Sequence, residues 1–416
     1  MSHAFAIGSF CFFSRDAARL SLSGEIMSSL IKLGPLNINR ERWLDALEVF
    51  DEVHVVRLTN DSEPEIGEGF QYHYLSKNVI NTLLVKACGF SKKRKWCKLL
   101  SYFGIGLFRL INYNWVKKIV SIDAQEVLSS YNDFDESGIL TVMLAESLKA
   151  SGKHITRAYK ETRPEFDAFE IGAFYHSDRI VLNAPECIEF FKNKWGDDVF
   201  KDKEIISNLD EDWLSQYEIS SIVKKKKLSE FDGRLHAVIL AGRVMSDCSD
   251  KRSGSRLYYI PLICELLESG IAVHLHTLRI INDVNGVNQY EVLKAKYPDA
   301  FYIESPLPME GETIADSISL LSRYDLGIMH NYVDGTSNTA FDRYNIPHRY
   351  YEYEAAGVAP ILQRGRAFVM ERILKENCSG IIYSQLSEIK TVPDLAFQTP
   401  TFKEYIESLY PQEYQD

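Results

Sequence analysis

Residues 347–363 read PHRYYEYEAAGVAPILQ, and this stretch decides the fold expected of the 416-residue chain. Pro347 favours the first turn of a helix, the tyrosines and alanines after it give that helix an apolar side, and Gly357 ends it. The apolar run 358–362 then predicts a short buried strand. A helix that leads directly into a buried strand is the repeating unit of an α/β domain with a parallel sheet.

The same stretch holds groups that suit a nucleotide. A helix entered at Pro347 directs unpaired backbone N–H groups and the positive end of its dipole toward an anion. Glu352, one turn into the helix, can accept hydrogen bonds from two vicinal hydroxyls, as a ribose presents them. Phosphate and ribose can therefore be bound together. An ordinary helix–glycine–strand connection has the same pattern, so this alternative stays open.

The stretch resembles the P-x-K-x-x-E-Y-x-A-x-G-x-P-V-I block of GT-B glycosyltransferases, especially the family 4-like group. Arg349 falls on the family's lysine, Glu352 on its glutamate, and Tyr353, Ala355 and Gly357 on their counterparts. In that family the glutamate binds the nucleotide ribose. The resemblance therefore implies that Arg349, Glu352 and Tyr353 contact the donor nucleotide.

Two positions depart from the family pattern. Ala359 stands where the family has proline, with Pro360 one place later. Tyr344 stands where many retaining members have an acidic residue, eight positions before the glutamate. The missing carboxylate leaves retention or inversion of the sugar configuration open.

Length and composition indicate a two-domain protein of the soluble, globular class. A chain of 416 residues exceeds what one hydrophobic core normally serves, and 45% hydrophobic with 25% charged residues is ordinary. The seven cysteines are scattered and form no C-x-x-C pair, which predicts a reducing cytosol and no structural zinc site. No stretch reaches the roughly 18 apolar residues of a spanning helix. We therefore expect a cytoplasmic protein, with any membrane contact peripheral and on the inner face.

Strand and helix patterns alternate along the chain, which predicts a parallel sheet in each half. The first half begins with an expected strand at 4–13, helices at 20–33 and 40–50 and a strand at 52–58. A charged break at 224–234 separates it from a second alternation that starts at 235. We predict domains at 1–232 and 233–400, and a terminal helix at 401–416 that crosses back to the first domain. The resemblance implies the GT-B class: two Rossmann-like domains facing a central cleft, with the acceptor bound by the first and the nucleotide-sugar by the second.

The segment 69–122 is basic within an acidic chain. It contains ten lysines and arginines and no Asp or Glu, whereas the whole chain has a net charge of −11. Apolar residues lie beside the lysines, so the segment can contact an anionic membrane surface. A helix pair whose apolar side faces its own core, with solvated lysines outside, fits equally well. The acidic remainder of the chain argues against nucleic acid as a partner.

The second half opens with LAGRV at 240–244, followed by Lys251. This resembles the G-R-[LIV] segment, with a lysine shortly after, that GT-B enzymes place against the donor diphosphate. A glycine at a strand end, Gly242, permits close backbone approach, and Arg243 and Lys251 can neutralise the departing phosphates. The spacing to Lys251 is longer than usual, and solvated charges in a loop remain the alternative.

The segment 332–341 falls where GT-B members hold the donor sugar and its β-phosphate. Thr336, Ser337 and Asn338 offer small side chains and backbone N–H groups that suit an anion. A plain surface turn has the same composition.

Asp133 is the candidate catalytic base. It follows a predicted strand, beside Asp135 and Glu136, and a carboxylate there can deprotonate an acceptor hydroxyl in an inverting displacement. Helix N-capping by Asp135 is the commonplace alternative. Asp133-Phe-Asp135 and Asp210-Glu-Asp212 also match the D-x-D of metal-dependent glycosyltransferases. Two successive α/β halves favour GT-B instead, so we expect no metal and no cofactor.

Together these patterns predict a glycosyltransferase that moves a sugar from a nucleotide-sugar, a UDP-sugar by preference, to a saccharide or lipid-linked acceptor. Bacterial-type surface polysaccharide or lipopolysaccharide assembly is the setting that fits. Two alternatives stay open. One is a nucleotide-sugar epimerase on the same scaffold. The other is a non-catalytic protein that binds a membrane or partner through the basic segment.

Overall fold

The computed structural model describes residues 27–34, 50–58, 69–75, 97–131, 137–159, 162, 168–207, 222–247, 257–307, 313–330 and 340–391. The chain divides into two compact units, Met1–Glu211 and Asp212–Asp416. The strand expected at 4–13, nearly all of the helix expected at 40–50, and the terminal helix expected at 401–416 lie outside the described residues.

The described part of the first unit is a parallel sheet with helices between its strands. The strands are β1 (Met27–Leu33), β2 (Phe50–Arg57), β3 (Phe70–Tyr74), β4 (Glu126–Tyr131), β5 (His154–Tyr159), β6 (Arg179–Leu182) and β7 (Glu204–Ile206). The helices are α1 (Cys97–Ile111), α2 (Tyr113–Val120), α3 (Ser137–Ala150), α4 (Ala168–His176) and α5 (Glu186–Trp195), with a 3-10 turn at Asp197–Phe200. The strand order is β3-β2-β1-β4-β5-β6-β7.

The strand β1 corrects one prediction. The helix expected at 20–33 is wrong for its described part, because Met27–Leu33 forms a strand in the middle of the sheet. Its neighbours β2 and β4 both pair with it in parallel, and Leu30, Ile31 and Leu33 are completely buried. A short apolar run of this kind fits a strand or a helix equally well until its long-range pairing is known.

The described part of the second unit repeats this architecture. Its strands are β8 (His236–Met245), β9 (Ala272–Ile281), β10 (Phe301–Glu304), β11 (Leu326–Ile328), β12 (Ala359–Gln363) and β13 (Ile381–Tyr383). Its helices are α6 (Ser229–Asp232), α7 (Ile260–Glu268), α8 (Gln289–Lys296), α9 (Ile314–Leu321), α10 (Ala340–Tyr344), α11 (Arg349–Ala356) and α12 (Phe368–Glu376), followed by a 3-10 turn at Leu386–Thr391. The strand order is β10-β9-β8-β11-β12-β13, and all neighbouring pairs are parallel.

Both sheets share one topology. Each begins at a central strand, adds the next two strands on one side and then continues on the other. This is the Rossmann-like order, in which ligands bind beyond the carboxyl ends of the strands, where the order reverses. The reversal lies between β1 and β4 in the first unit and between β8 and β11 in the second. The prediction of two Rossmann-like parallel-sheet domains is confirmed.

The units divide earlier than the boundary near 232 that the charged run suggested. The run 224–234 belongs to the second unit because its polar groups bond there. The Lys225 N–H donates to Ser322 Oγ at 2.7 Å, and Lys227 Nζ donates to the Gly357 carbonyl at 2.8 Å. Burial lowers the pKa of Lys227 to about 8. A run of lysines that resembles a solvated linker is thus partly packed against the fold.

No helix in the described ranges is both long and apolar enough to cross a membrane.

Candidate functional site

Helix α11 and strand β12 form the helix–glycine–strand unit predicted from residues 347–363. The helix begins at Arg349, and the Pro347 carbonyl accepts a hydrogen bond from the Tyr350 N–H at 3.0 Å. It ends at Gly357, whose positive φ of 66° is left-handed and suits glycine, and the Val358 N–H returns to the Tyr353 carbonyl at 2.9 Å. The first turn of α11 therefore lies at the carboxyl edge of the sheet.

Tyr353 anchors α11 to the sheet. Its side chain is completely buried, and its hydroxyl lies 3.3 Å from the Val238 carbonyl of β8 and 3.5 Å from the Ile328 carbonyl of β11. Gly327 makes room for the ring, because a Cβ at that position would lie 2.4 Å from Tyr353 Cδ2. Tyr353 was expected to contact the nucleotide, but this packing leaves it no surface for a ligand.

Glu352 lies in the first turn of α11 with only 7% of its surface exposed. Among the described residues, none donates a hydrogen bond to its carboxylate. Burial raises the pKa of Glu352 to about 7, and the nearby positive charge of Arg349 only partly offsets this. A buried carboxylate without donors is unfavourable for the folded state. Two hydroxyls of a bound ribose are donors of the kind it lacks.

Arg349 brings a permanent positive charge to the middle of β8, beside Leu240. Its Nη1 lies 3.4 Å from the Leu240 carbonyl and 3.4 Å from the Tyr259 hydroxyl. Both contacts are long, so the guanidinium keeps donors for a further acceptor. The structure thus places Arg349 and Glu352 together at the point where the strand order of the second sheet reverses.

Strand β8 continues beyond the predicted strand end at Gly242. It extends to Met245 because Val244 and Met245 are buried and pair in register with Ile280 and Ile281 of β9. The prediction that Gly242 lies at the end of a strand is therefore wrong, because the strand continues for three more residues. A Cβ at Gly242 would meet no atom within 4 Å, so nothing in the described structure requires glycine there.

Arg243 lies on this extension of β8 and has Arg279 of β9 as its register partner. Both side chains are exposed. In the described part of the chain, neither guanidinium has a hydrogen bond or an ion pair. The sequence had suggested Arg243 but not Arg279. The run RII at 279–281 was the available signal, since two β-branched residues after an arginine favour a longer strand.

His330 follows β11 at the same edge but contributes no charge. It is 7% exposed, and its Nε2 lies 3.0 Å from the Tyr383 hydroxyl. Burial lowers the pKa of His330 to about 3, and the positive charges of Arg366 and Arg349 lower it further. The positive charge of this edge therefore comes from arginines, not from histidine.

Several predicted site residues cannot be placed beside this edge, because they lie outside the described ranges: Asp133, Lys251, Thr336, Ser337 and Asn338. Asp210 and Asp212 also lie outside them. Tyr344 is described, and its ring packs edge-on against Phe368 with centroids 5.8 Å apart. Within the described ranges, no three His, Cys, Asp or Glu side chains are grouped to bind a metal ion.

The arrangement is suited to a nucleoside diphosphate. Arg349, the positive end of the α11 dipole, and the exposed Arg243 and Arg279 can attract and hold phosphates. Glu352 can accept hydrogen bonds from a sugar ring. All of these groups belong to the second unit and occupy the carboxyl side of its sheet.

No protein-family model matches the chain, and no curated protein matches it in sequence. Solved structures do show a likeness of fold. HepE of Anabaena, solved with UDP and glucose, is 11% identical, with a TM-score of 0.47 over 93% of this chain and 95% of HepE.

Two further structures have comparable values. The lipopolysaccharide outer core galactosyltransferase WaaB is 9% identical, with a TM-score of 0.45 over 92% of this chain and 99% of WaaB. UDP-GlcNAc 2-epimerase from Methanocaldococcus jannaschii is 11% identical, with a TM-score of 0.44 over 92% of this chain and 99% of the epimerase. At these identities the likeness concerns the fold alone. A galactosyltransferase and a nucleotide-sugar epimerase are both among the structures to which this chain is similar.

Proposed function

We propose that this chain is a glycosyltransferase that moves a sugar from a UDP-sugar to a hydroxyl of a saccharide or lipid-linked acceptor. One observation carries the proposal. Glu352 is buried without a hydrogen-bond donor among the described residues, beside Arg349 and at the reversal of strand order. A nucleotide ribose supplies the missing donors, and its phosphates reach the positive charge.

The proposed chemistry depends on the leaving diphosphate. As the bond between the sugar and the β-phosphate breaks, negative charge develops on the phosphate oxygen. Arg243, the positive end of the α11 dipole and, by prediction, Lys251 stabilise that charge without a metal ion. Asp133 is the proposed base that removes the proton from the acceptor hydroxyl. Thr336, Ser337 and Asn338 are proposed contacts of the donor sugar.

Nucleotide binding tests the proposal directly. We expect UDP to raise the melting temperature of the protein in a panel with GDP and CMP, and Glu352→Gln to abolish that increase. Glu354→Gln is the matched control, because Glu354 lies on the same helix but is exposed. If Glu352→Gln binds UDP as well as the wild type does, the ribose role is wrong. If no nucleotide protects the protein from heat, the non-catalytic alternative is favoured.

The reaction is tested separately from binding. We expect release of UDP from UDP-glucose or UDP-GlcNAc to depend on an added saccharide or lipid-linked acceptor. Proton NMR of the donor measures its consumption. Conversion of the donor into an epimer without an acceptor would instead identify a nucleotide-sugar epimerase.

A second part of the proposal concerns the basic segment 69–122. Helices α1 and α2 bury one side in the core of the first unit through Ile105, Phe108, Val116 and Ile119. Of the cations in this segment, Arg109 is engaged, since its Nη1 lies 2.7 Å from the Glu146 carboxylate. The core-facing alternative is therefore correct for one side of these helices.

The other side of these helices is exposed and apolar. Phe103, Leu110 and Tyr113 are 72%, 75% and 62% exposed, and Lys117 and Lys118 of α2 are exposed nearby in sequence. Apolar side chains beside lysines complement an anionic bilayer, where each charge contributes about 1 kcal/mol. We propose that this surface contacts an anionic membrane that carries the acceptor, as in surface polysaccharide or lipopolysaccharide assembly.

Vesicle co-sedimentation tests the membrane contact. We expect the protein to sediment with phosphatidylglycerol vesicles but not with phosphatidylcholine vesicles. Phe103→Ser with Leu110→Ser, or Lys117→Gln with Lys118→Gln, should release it. Phe231→Ser is the control, because Phe231 is equally exposed in the second unit. Unchanged sedimentation of both double variants would contradict the proposal.

A further inference from the structure

Two arginines lie directly opposite each other at the carboxyl edge of the second sheet. Arg243 of β8 and Arg279 of β9 are register partners in a parallel pair. Neighbouring strands lie about 4.8 Å apart, and partners in register project from the same face of the sheet. Two exposed arginines thus extend from adjacent backbone positions on one face of the sheet.

This arrangement does not favour the fold. Like charges that oppose each other across a strand pair destabilise a sheet. The acidic residues that follow the two strands are engaged elsewhere. Asp283 accepts hydrogen bonds from the Val287 N–H at 2.8 Å and from Gln289 Nε2 at 2.8 Å, and Asp247 accepts one from the Val284 N–H at 2.9 Å.

The backbone at the two arginines is also fixed by the core. Val244 and Met245 follow Arg243 and are buried, and both pair with β9 immediately after Arg279. The arginines therefore project from paired strands and not from a loop. Such a fixed pair loses less freedom when it binds an anion than two arginines on flexible segments would.

We propose that Arg279 is a second cation for the donor diphosphate and acts together with Arg243. The inference rests on the proposed function, and it gives Arg279 the role that the sequence suggested for Lys251. A guanidinium can form two parallel hydrogen bonds to one phosphate, so the pair spans two linked phosphates. The pair selects a nucleoside diphosphate over the nucleoside alone.

The test compares two ligands, UDP and uridine, by calorimetric titration of Arg279→Gln. We expect at least about a tenfold loss of affinity for UDP, as for the loss of one charge-assisted contact, and less than about a twofold loss for uridine. The dependence of UDP affinity on salt should also become weaker. Arg234→Gln is the matched control, because Arg234 is a partly exposed arginine of the same unit whose side chain bonds to Asp232.

The melting temperature of the free protein separates binding from structure. Removing one of two opposed charges should leave that temperature unchanged or raise it. A lower temperature, or equal losses for UDP and uridine, would mean that Arg279 is structural and would overturn the inference. If Arg279→Gln binds UDP normally while Glu352→Gln does not, the inference fails and the proposed function stands. If the wild type binds no nucleotide, both fail.

Discussion

Replacing Glu352 with glutamine should stabilise the protein at alkaline pH while abolishing nucleotide binding. Glutamine has nearly the same shape as glutamate but no charge. The substitution therefore removes the cost of burying a negative charge and keeps the packing of the side chain. Glu352 is 7% exposed, and burial raises its pKa from 4.5 to about 7. The folded wild type therefore carries a penalty whenever this group must ionise.

The size of the penalty follows from the two pKa values. A difference of about 2.5 units, at about 1.4 kcal/mol per unit, corresponds to about 3.5 kcal/mol. Below pH 4.5 the carboxyl is protonated in the folded and unfolded states alike. Between pH 4.5 and about 7 the unfolded chain has released the proton and the folded chain retains it, so stability falls as pH rises. Above about pH 7 the full penalty is present.

Thermal melts at pH 5 and pH 9 measure this difference. For a unit of this size, about 1 kcal/mol shifts the melting temperature by roughly 2–4 °C. We expect Glu352→Gln to melt near the wild type at pH 5 and about 7–14 °C above it at pH 9. Glu354→Gln, which alters an exposed carboxyl of the same helix, should change little at either pH. An equal offset between Glu352→Gln and the wild type at both pH values would refute the reasoning.

Nucleotide binding by the wild type should show the matching dependence on pH. An ionised Glu352 accepts two hydroxyl hydrogen bonds better than a protonated one does, so UDP favours the ionised form. Bound UDP should therefore lower the pKa of Glu352 from about 7, and affinity should rise between about pH 6 and pH 8. Titration in two buffers of different ionisation enthalpy should detect the released proton. Affinity that is flat across this range would contradict the assignment.

Two further substitutions test the packing of the units. Gly327→Ala should destabilise the protein by at least about 2 kcal/mol in urea unfolding, because the new methyl group overlaps the buried ring of Tyr353. Gly106→Ala, in open space on α1, should be neutral or slightly stabilising. Equal losses of stability in the two variants would contradict this view. Arg157→Met should destabilise it by about 3–5 kcal/mol, since the buried carboxylate of Glu170 would lose its arginine partner, and adding Glu170→Gln should restore part of the loss. A double variant as unstable as the single one would contradict the charge argument.

Local signals made the block at 347–363 predictable. Gly357 ends α11 in the left-handed conformation that its position indicated, and β12 follows as expected. The motif letters did not reveal burial, however. Tyr353 and Glu352 are neighbours in the motif, yet one side chain packs on the sheet while the other lacks donors among the described residues. Which side of a short helix faces the sheet depends on partners that are distant in sequence, such as Gly327.

Pairing between strands explains the predictions that failed. Glycine at 242 suggested that β8 ends there, but buried contacts of Val244 and Met245 with β9 extend it. The neighbour of Arg243 could not be identified either, because register is a property of two segments. The run at 27–33 is a strand for the same reason, since β2 and β4 on either side decide its conformation.

A buried ion pair in the first unit contrasts with a buried carboxylate in the second, and the contrast supports the second unit as the nucleotide site. At the carboxyl end of β5, Arg157 is fully buried and donates to Glu170 at 3.1 and 2.7 Å, so charge is neutralised within the fold. In the second unit Glu352 lacks donors, and Arg243 lacks an acidic partner, among the described residues. A nucleoside diphosphate supplies both missing partners, and a ligand that binds only the folded state stabilises it in proportion to the logarithm of its concentration. Protection by UDP should therefore be greatest where the unliganded site is least favourable, above pH 7 and at low salt.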